Sequence, residues 1–396
     1  MDWLAGLRTA WTEGTTAERG VTAALVAVGV ALALAILTGL LAPAYFAYLV
    51  GLGAMYALLS LGLNAQWGYS GLINFSVAAF FGVGAYGSAL MTADSSPIAG
   101  GFLSPVGVVV ALVLAAVIAV LIGVPTLRLR ADYLAIASLG LAEVVRLVAL
   151  NEEGLTNGSA GVRGVPTFFD GWPVLDTLPE TLPGFRIELL PGSPFFLEAP
   201  FYRAFLDVVV VLAFLGASYL LLRRIHRSPW GRVLRTIRSD EDLAEALGKD
   251  SYRYKMQAFV IGSLVMALAG VFAAHLIRFV DPGTLDPITT FYVWVAVMLG
   301  GSGSNRGAVL GGFVVVTIRE GSRFLTDFGI APVDPASIRL FAIGLLIVLV
   351  MRFRPQGILP PQKELIWPGT VDEAPSRPTS GVREARGGGG GGGGDE

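Results

Sequence analysis

Ser70, flanked by glycine in Gly68-Tyr69-Ser70-Gly71, and His275 in a later apolar segment are the residue types that could form a nucleophile and its base. Glu143 and Arg146 stand three residues apart, so on a helix they share a face and neutralise one another where an unpaired charge would be costly. Glu143 is also a candidate for receiving the ammonium group of a zwitterion on a translocation path. The chain has 2 histidines, His226 and His275, and 0 cysteines. They give no recognisable metal constellation, and disulfides and thiolate chemistry are excluded. No Gly-x-x-x-x-Gly-Lys-Ser/Thr sequence occurs, so the chain does not cradle ATP phosphates by that route, and no cofactor of its own is expected.

These residues are embedded in a strongly apolar chain. Of 396 residues 54% are hydrophobic and 15% charged, and the mean hydropathy is +0.67. Such a balance points to lipid as the solvent. Net charge is −2, and nothing in it suggests a nucleic-acid partner. Uncharged runs such as 21–42 and 104–124 reach the roughly 20 residues that cross a bilayer as a helix. The expected fold is an all-α, polytopic transmembrane bundle of about ten spans: 21–42, 44–64, 71–91, 104–124, 133–150, 204–222, 256–277, 288–300, 307–322 and 338–351. The eighth is short and runs into Gly300, Gly301, Gly303 and Gly307, which marks it as a candidate broken or re-entrant element. Asn64, Asn74 and Ser76 put polar groups near the ends or inside apolar spans. They could line a hydrated passage, and hydrogen bonds between helices explain them equally well. Gly82, Gly84 and Gly87 in the third span suit close helix packing or a kink.

Arg223, Arg224, Arg227, Arg232, Arg235 and Arg238 crowd the 223–255 segment, which is therefore expected to be cytoplasmic. Alternation then places Arg128, Arg130, Arg306, Arg352 and Arg354 inside, and 92–103 and 280–287 outside. Both termini are expected to be cytoplasmic: segment 1–20, ahead of a permease domain over 21–354, and a flexible Gly-rich tail over 355–396. The run after residue 20 is too long for a signal-peptide core and reads as a retained first span. Segment 151–203 is expected outside, with Phe168-Phe169 and Phe195-Phe196 packed on the membrane surface.

Within the cytoplasmic segment, the run from Arg227 to Lys255 reads as amphipathic helix, glycine stop, second helix. Ser239 is the expected N-cap, with Leu243, Ala246 and Leu247 on one face and Gly248 in a left-handed C-cap. The arrangement resembles the coupling loop of ATP-binding cassette importer permeases, whose Glu-Ala-Ala, three residues, Gly pattern is matched here by Glu245-Ala246 and Gly248 at shortened spacing.

Over 51–360 the chain resembles the LivM-type permeases of branched-chain amino-acid importers. The likeness is densest at Leu61-Gly62-Leu63-Asn64 with Gly68-Tyr69-Ser70-Gly71, at Ala78 to Tyr86, at Leu127 to Ile136, and from the coupling loop to Gly270. Val297 to Ser304, Gly307 to Gly311 and Arg354 to Leu359 add to it in the same order. In 151–203 only Gly158 and Gly161-Val162-Arg163-Gly164-Val165-Pro166 follow the family pattern, and the remainder reads as an insertion.

The resemblance implies a prokaryotic cytoplasmic-membrane permease that performs no covalent chemistry and imports leucine, isoleucine or valine. Its implied partners are a second permease of the same class, two cytoplasmic ATPase subunits that consume ATP, an external substrate-binding protein, and membrane lipid. Ser239, Asp240, Glu241, Ala244, Glu245, Ala246 and Gly248 would form the ATPase-coupling site. Importers of urea or short-chain amides use closely similar permeases and are the alternative. Gly68-Tyr69-Ser70-Gly71 also matches the rhomboid-type intramembrane serine protease signature, but the same run recurs at this position in the permease family. A secondary transporter running on an ion gradient would also show broken spans.

Overall fold

The computed structural model describes residues 42–327, apart from 173 and 191–192, with scattered positions between 337 and 359. The expected span 21–42 lies outside the described residues, save for Ala42. So do most of 338–351 and of the tail.

The bundle is built on two helices that are apolar on nearly every side and buried on nearly every side. They are α1 (Pro43–Leu63), continued by a π-turn over Asn64–Gly68, and α8 (Ser251–Ile277). A helix apolar all round belongs in a protein interior or a membrane. Around them stand α2 (Val77–Thr92), α3 (Ser104–Thr126), α4 (Ala131–Asn151), α5 (Ala199–Arg227), α9 (Pro287–Gly300) and α10 (Asn305–Asp327). Five helical stretches among the described residues are long and apolar enough to span a membrane. α3, α4 and α5 are the most exposed of these, and α3 turns Val109, Val113, Val117 and Leu121 outward. That is the pattern of a lipid-facing helix.

The expected spans largely coincide with these helices, with one correction. The third does not run as helix from 71 to 91. Residues 71–76 are non-helical, and α2 begins at Val77. Gly71, at φ +76°, takes a left-handed conformation that glycine adopts without steric cost. Hydropathy alone does not register such a break, because Leu72, Ile73 and Phe75 are as apolar as any helical stretch. The glycines of α2 serve close packing: a Cβ at Gly84 would run into the Ala267 carbonyl of α8, and one at Gly270 into the Phe81 carbonyl of α2.

The ends of the bundle are distinct. At one end Gly68 and Ser302 meet Arg238, and Arg128 lies over the Tyr252 ring. At the other, β1 (Val162–Arg163) pairs antiparallel with β4 (Phe279–Val280). There Phe168 is buried against Phe272 and His275, and Ser104 Oγ donates to the Phe168 carbonyl at 2.7 Å. The rest of the 151–203 segment includes an antiparallel hairpin of β2 (Phe185–Leu190) and β3 (Ser193–Leu197).

Candidate functional site

The helical hairpin that follows α5 is α6 (Pro229–Ser239) and α7 (Glu241–Ala246). α6 is amphipathic and buries Gly231, Leu234 and Ile237. The expected cap at Ser239 is corrected. Ser239 closes α6, its hydroxyl donating to the Arg235 carbonyl, and Asp240 is the N-cap of α7, its carboxylate accepting from the Leu243 amide at 3.0 Å. Asp240 has the extended backbone an N-cap requires, and its carboxylate also suits the positive end of the helix. Gly248 takes φ +75° and ends the turn as expected.

Three ties hold the hairpin to α8. Lys255 Nζ reaches Glu241 at 2.5 Å, Ser251 donates to Glu245, and Trp230 Nε1 donates to Gln257 at 2.6 Å. Ala244 is fully buried, whereas Leu243 is 51% and Leu247 66% exposed. The apolar face expected at Leu243, Ala246 and Leu247 therefore points away from the bundle.

From the hairpin, Arg238 reaches into the bundle. Its guanidinium donates to the Gly68 carbonyl at the end of the π-turn and to Ser302 Oγ at 3.1 Å, in the turn between α9 and α10. Burial lowers its pKa from the ordinary arginine value, and an arginine stays charged at neutral pH.

Behind those two breaks lies a buried polar knot. Asn64 Nδ2 donates to Asn305 Oδ1 at 3.0 Å, and Asn64 Oδ1 accepts from the Gly303 amide at 2.7 Å. Tyr69 donates to the same Asn305 oxygen at 2.5 Å. Gln66 donates to the Phe259 carbonyl at 2.8 Å and accepts from Asn74 Nδ2 at 2.7 Å. Asn74 Oδ1 in turn accepts from the Ser76 amide at 2.8 Å, and Trp294 Nε1 donates to the Asn74 carbonyl at 3.0 Å. Asn64, Asn74 and Ser76 are fully buried. These bonds satisfy backbone groups freed where the helices are interrupted, as apolar surroundings demand. Gln66 and Asn305 belong to this knot and do not stand out in the sequence; their signal is a polar residue beside a glycine-containing break.

Glu143 and Arg146 pair as their spacing requires, with Arg146 Nε 2.8 and 3.0 Å from the two carboxylate oxygens. Glu143 and Arg146 lie eight and five residues, about 12 and 8 Å, short of the end of α4 at Asn151. Their side chains remain 37% and 30% exposed.

Ser70 and His275 are not brought together. Ser70 donates to the Gln66 carbonyl at 2.6 Å. His275 contacts Ser88 at 2.9 Å and the Pro166 carbonyl at 2.8 Å at the far end of the bundle. On α8, His275 is 12 residues, about 18 Å, beyond Ser263, which neighbours Gln66. Among the described residues no His, Asp or Glu cluster could hold a metal ion.

A bundle of apolar helices, five of them among the described residues long and apolar enough to span a bilayer, with a short exposed hairpin at one end, marks a membrane-embedded protein. The chain belongs to the family described as branched-chain amino acid transport system / permease component, matched over residues 45–351. It is similar to the high-affinity branched-chain amino acid transport system permease protein LivM of Escherichia coli (strain K12), 30% identical over 325 residues, covering 77% of this chain and 68% of the relative. The probable LivM permease of Methanocaldococcus jannaschii is 25% identical over 347 residues, covering 79% and 92%. LivH of Escherichia coli (strain K12) is 27% identical over 316 residues, covering 78% and 92%. No solved structure matches the chain.

Proposed function

We propose that this chain is a permease subunit of an ATP-binding cassette importer that carries branched-chain amino acids into the cell. The observation that carries the reading is the α6–α7 hairpin: it turns Leu243 and Leu247 outward while Arg238 ties it to the π-turn after α1 and to the α9–α10 turn. Two ATPase subunits on the cytoplasmic side would cover that apolar face. Their closure on ATP would move α7, and Arg238 would pass the movement to the π-turn and the α9–α10 turn, loosening the polar knot around Asn64 and Asn74. The chain then moves between outward-open and inward-open states, each favoured by a different nucleotide state of its partners.

In this reading the hairpin end of the bundle, and both termini, face the cytoplasm of a prokaryotic cell. The end holding β1, β4 and the 151–203 segment receives an external substrate-binding protein. A second permease of the same class lies on α4. A charge pair about 8–12 Å inside a spanning helix is costly against lipid, and Glu143 and Arg146 are too exposed within this chain to be sheltered by it alone. Gly140, one turn away, has open space where a side chain would be, which lets another helix approach closely. Glu143 then faces the seam between the two permeases, where a translocation path would run.

The test is uptake of labelled leucine and labelled urea into vesicles bearing the complete assembly, with and without internal ATP, for wild type and Gly248→Arg. ATP-dependent leucine uptake that disappears in the variant supports cargo and coupling site together. Urea uptake alone keeps the mechanism and changes the cargo. Flux independent of ATP overturns the importer reading.

A further inference from the structure

The outward face of α5 changes character along its length. Phe205, Val209, Leu212 and Leu220 are exposed at helical spacing, and Gly216 on the same stripe has open space around it. From Phe205 to Leu220 the stripe covers 15 residues, about 22 Å, most of the roughly 30 Å hydrocarbon core of a bilayer. Three and seven residues beyond Leu220 the same face continues into Arg223 and Arg227, flanked by Arg224, and all three are exposed. Charges so placed stand where hydrocarbon gives way to headgroups.

The chain then folds back on itself. Arg235 Nη1 donates to the His226 carbonyl at 3.0 Å, which ties α6 to the last turn of α5. α6 buries Leu234 and Ile237 and leaves Arg232, near its start, exposed. The Ser228 hydroxyl donates to the Ile225 carbonyl at 2.6 Å and does not cap α6, so the positive end of that helix adds to the same field. Arg235 and Arg238 are engaged within the protein. Among the described residues, Arg223, Arg224, Arg227 and Arg232 make no ion pair, and no Asp or Glu lies between Asp207 and Asp240 in the sequence.

We infer that Arg223, Arg224, Arg227 and Arg232 hold the phosphates of anionic lipids in the leaflet at the hairpin end of the bundle. Guanidinium and phosphate match in charge and in bidentate geometry, and the apolar stripe leading to the arginines receives the acyl chains of the same lipids. That continuity favours lipid over a protein partner. ATPase subunits would meet the exposed Leu243 and Leu247 of α7, whose neighbouring charges are those of Glu241, Asp242 and Glu245. α6 is then held at its start by the bilayer and at its end by Arg238. The inference rests on the chain spanning a membrane and not on its cargo.

The test uses the complete assembly in phosphatidylcholine vesicles, with spin-labelled phosphatidylglycerol or spin-labelled phosphatidylcholine as the probe, and reads the fraction of label immobilised by the protein. The wild type favours phosphatidylglycerol, and the preference weakens as sodium chloride is raised. The variant Arg223→Gln/Arg224→Gln/Arg227→Gln/Arg232→Gln loses preference by roughly fivefold or more, the weight of at least one basic residue at an anionic surface. Lysine at the same four positions keeps the charge and retains most of the preference. Co-purified ATPase subunits show that the glutamine variant has folded and inserted. Where they are lost together with the preference, Arg224→Gln and Arg232→Gln are read singly, each with a loss of up to about fivefold.

No preference in the wild type, or an equal preference in the wild type and the glutamine variants, overturns the proposal. So does inorganic phosphate that abolishes the preference where sodium chloride of the same ionic strength does not, because the cluster would then be a site for a free anion. Loss of the ATPase subunits with the lipid preference intact overturns it too, and gives the arginines to that partner. Leucine and urea uptake enter none of these readouts, so the cargo and the lipid site fail separately.

Discussion

Arg238 is the residue on which the proposed coupling turns, because one guanidinium bridges the coupling hairpin and two helix breaks. Hydrogen bonds from a charged donor contribute about 1.5–3 kcal/mol each. Arg238→Ala is thus expected to lower leucine transported per ATP hydrolysed by roughly tenfold or more, read in vesicles where both are counted. A ratio equal to wild type would remove Arg238 from the coupling route. Ser70 makes the opposite case: its hydroxyl is spent on the Gln66 carbonyl, and Ser70→Ala should leave leucine uptake within about twofold of wild type, at a cost near that of one neutral hydrogen bond, roughly 0.5–1.5 kcal/mol of stability. At this scale the sequence is legible where spacing decides the contact, as for Glu143 and Arg146. The cap falls one residue later than the sequence suggests because serine and aspartate both cap helices, and only the backbone shows Asp240 to be the extended one.

Among the elements, the interrupted helices and the close α2–α8 crossing set what the bundle tolerates. Gly84 and Gly270 let each helix meet the other's backbone, and overpacking at such a crossing costs roughly 1–3 kcal/mol or more. Gly84→Leu is expected to lower the midpoint of thermal unfolding of the purified assembly by several degrees or to abolish its recovery. An unchanged midpoint would show that the crossing relaxes freely. On α7 the relevant property is exposure rather than packing. Leu243→Asp with Leu247→Asp leaves the buried Ala244 face untouched and should abolish co-purification of the ATPase subunits while the permease remains folded. Retained co-purification would move the docking surface elsewhere. The spans are readable from the sequence because one physical requirement, an apolar run about 20 residues long, dictates both the residue types and the helix. The break at 71–76 is not readable in the same way, because a non-helical stretch packed among helices needs the same apolar side chains and differs only in where its backbone bonds go.

For the whole molecule the open faces tell what surrounds it. α3 presents only apolar side chains outward, Val109, Val113, Val117 and Leu121 among them, and such a face is satisfied by lipid. α4 presents Val144 and Leu147 beside the Glu143–Arg146 pair, and lipid offers that pair nothing. Water in a shared path and a second permease do. The chain has 0 cysteines, so a single introduced cysteine reports its own neighbourhood without background. Cysteines at Val144 or Leu147, each paired with a scan of single cysteines along the facing permease, should form disulfides under mild oxidation, because a seam between spanning helices brings Cα atoms within the roughly 4.4–6.8 Å that a disulfide needs. Cysteines at Val113 or Leu121 should not. Cross-links from α3 and none from α4 would invert the arrangement, placing lipid against the ion pair and leaving its exposure without a physical reason. Cross-links from α4 would fix the seam along Glu143, making Glu143→Gln the next variant to read for uptake.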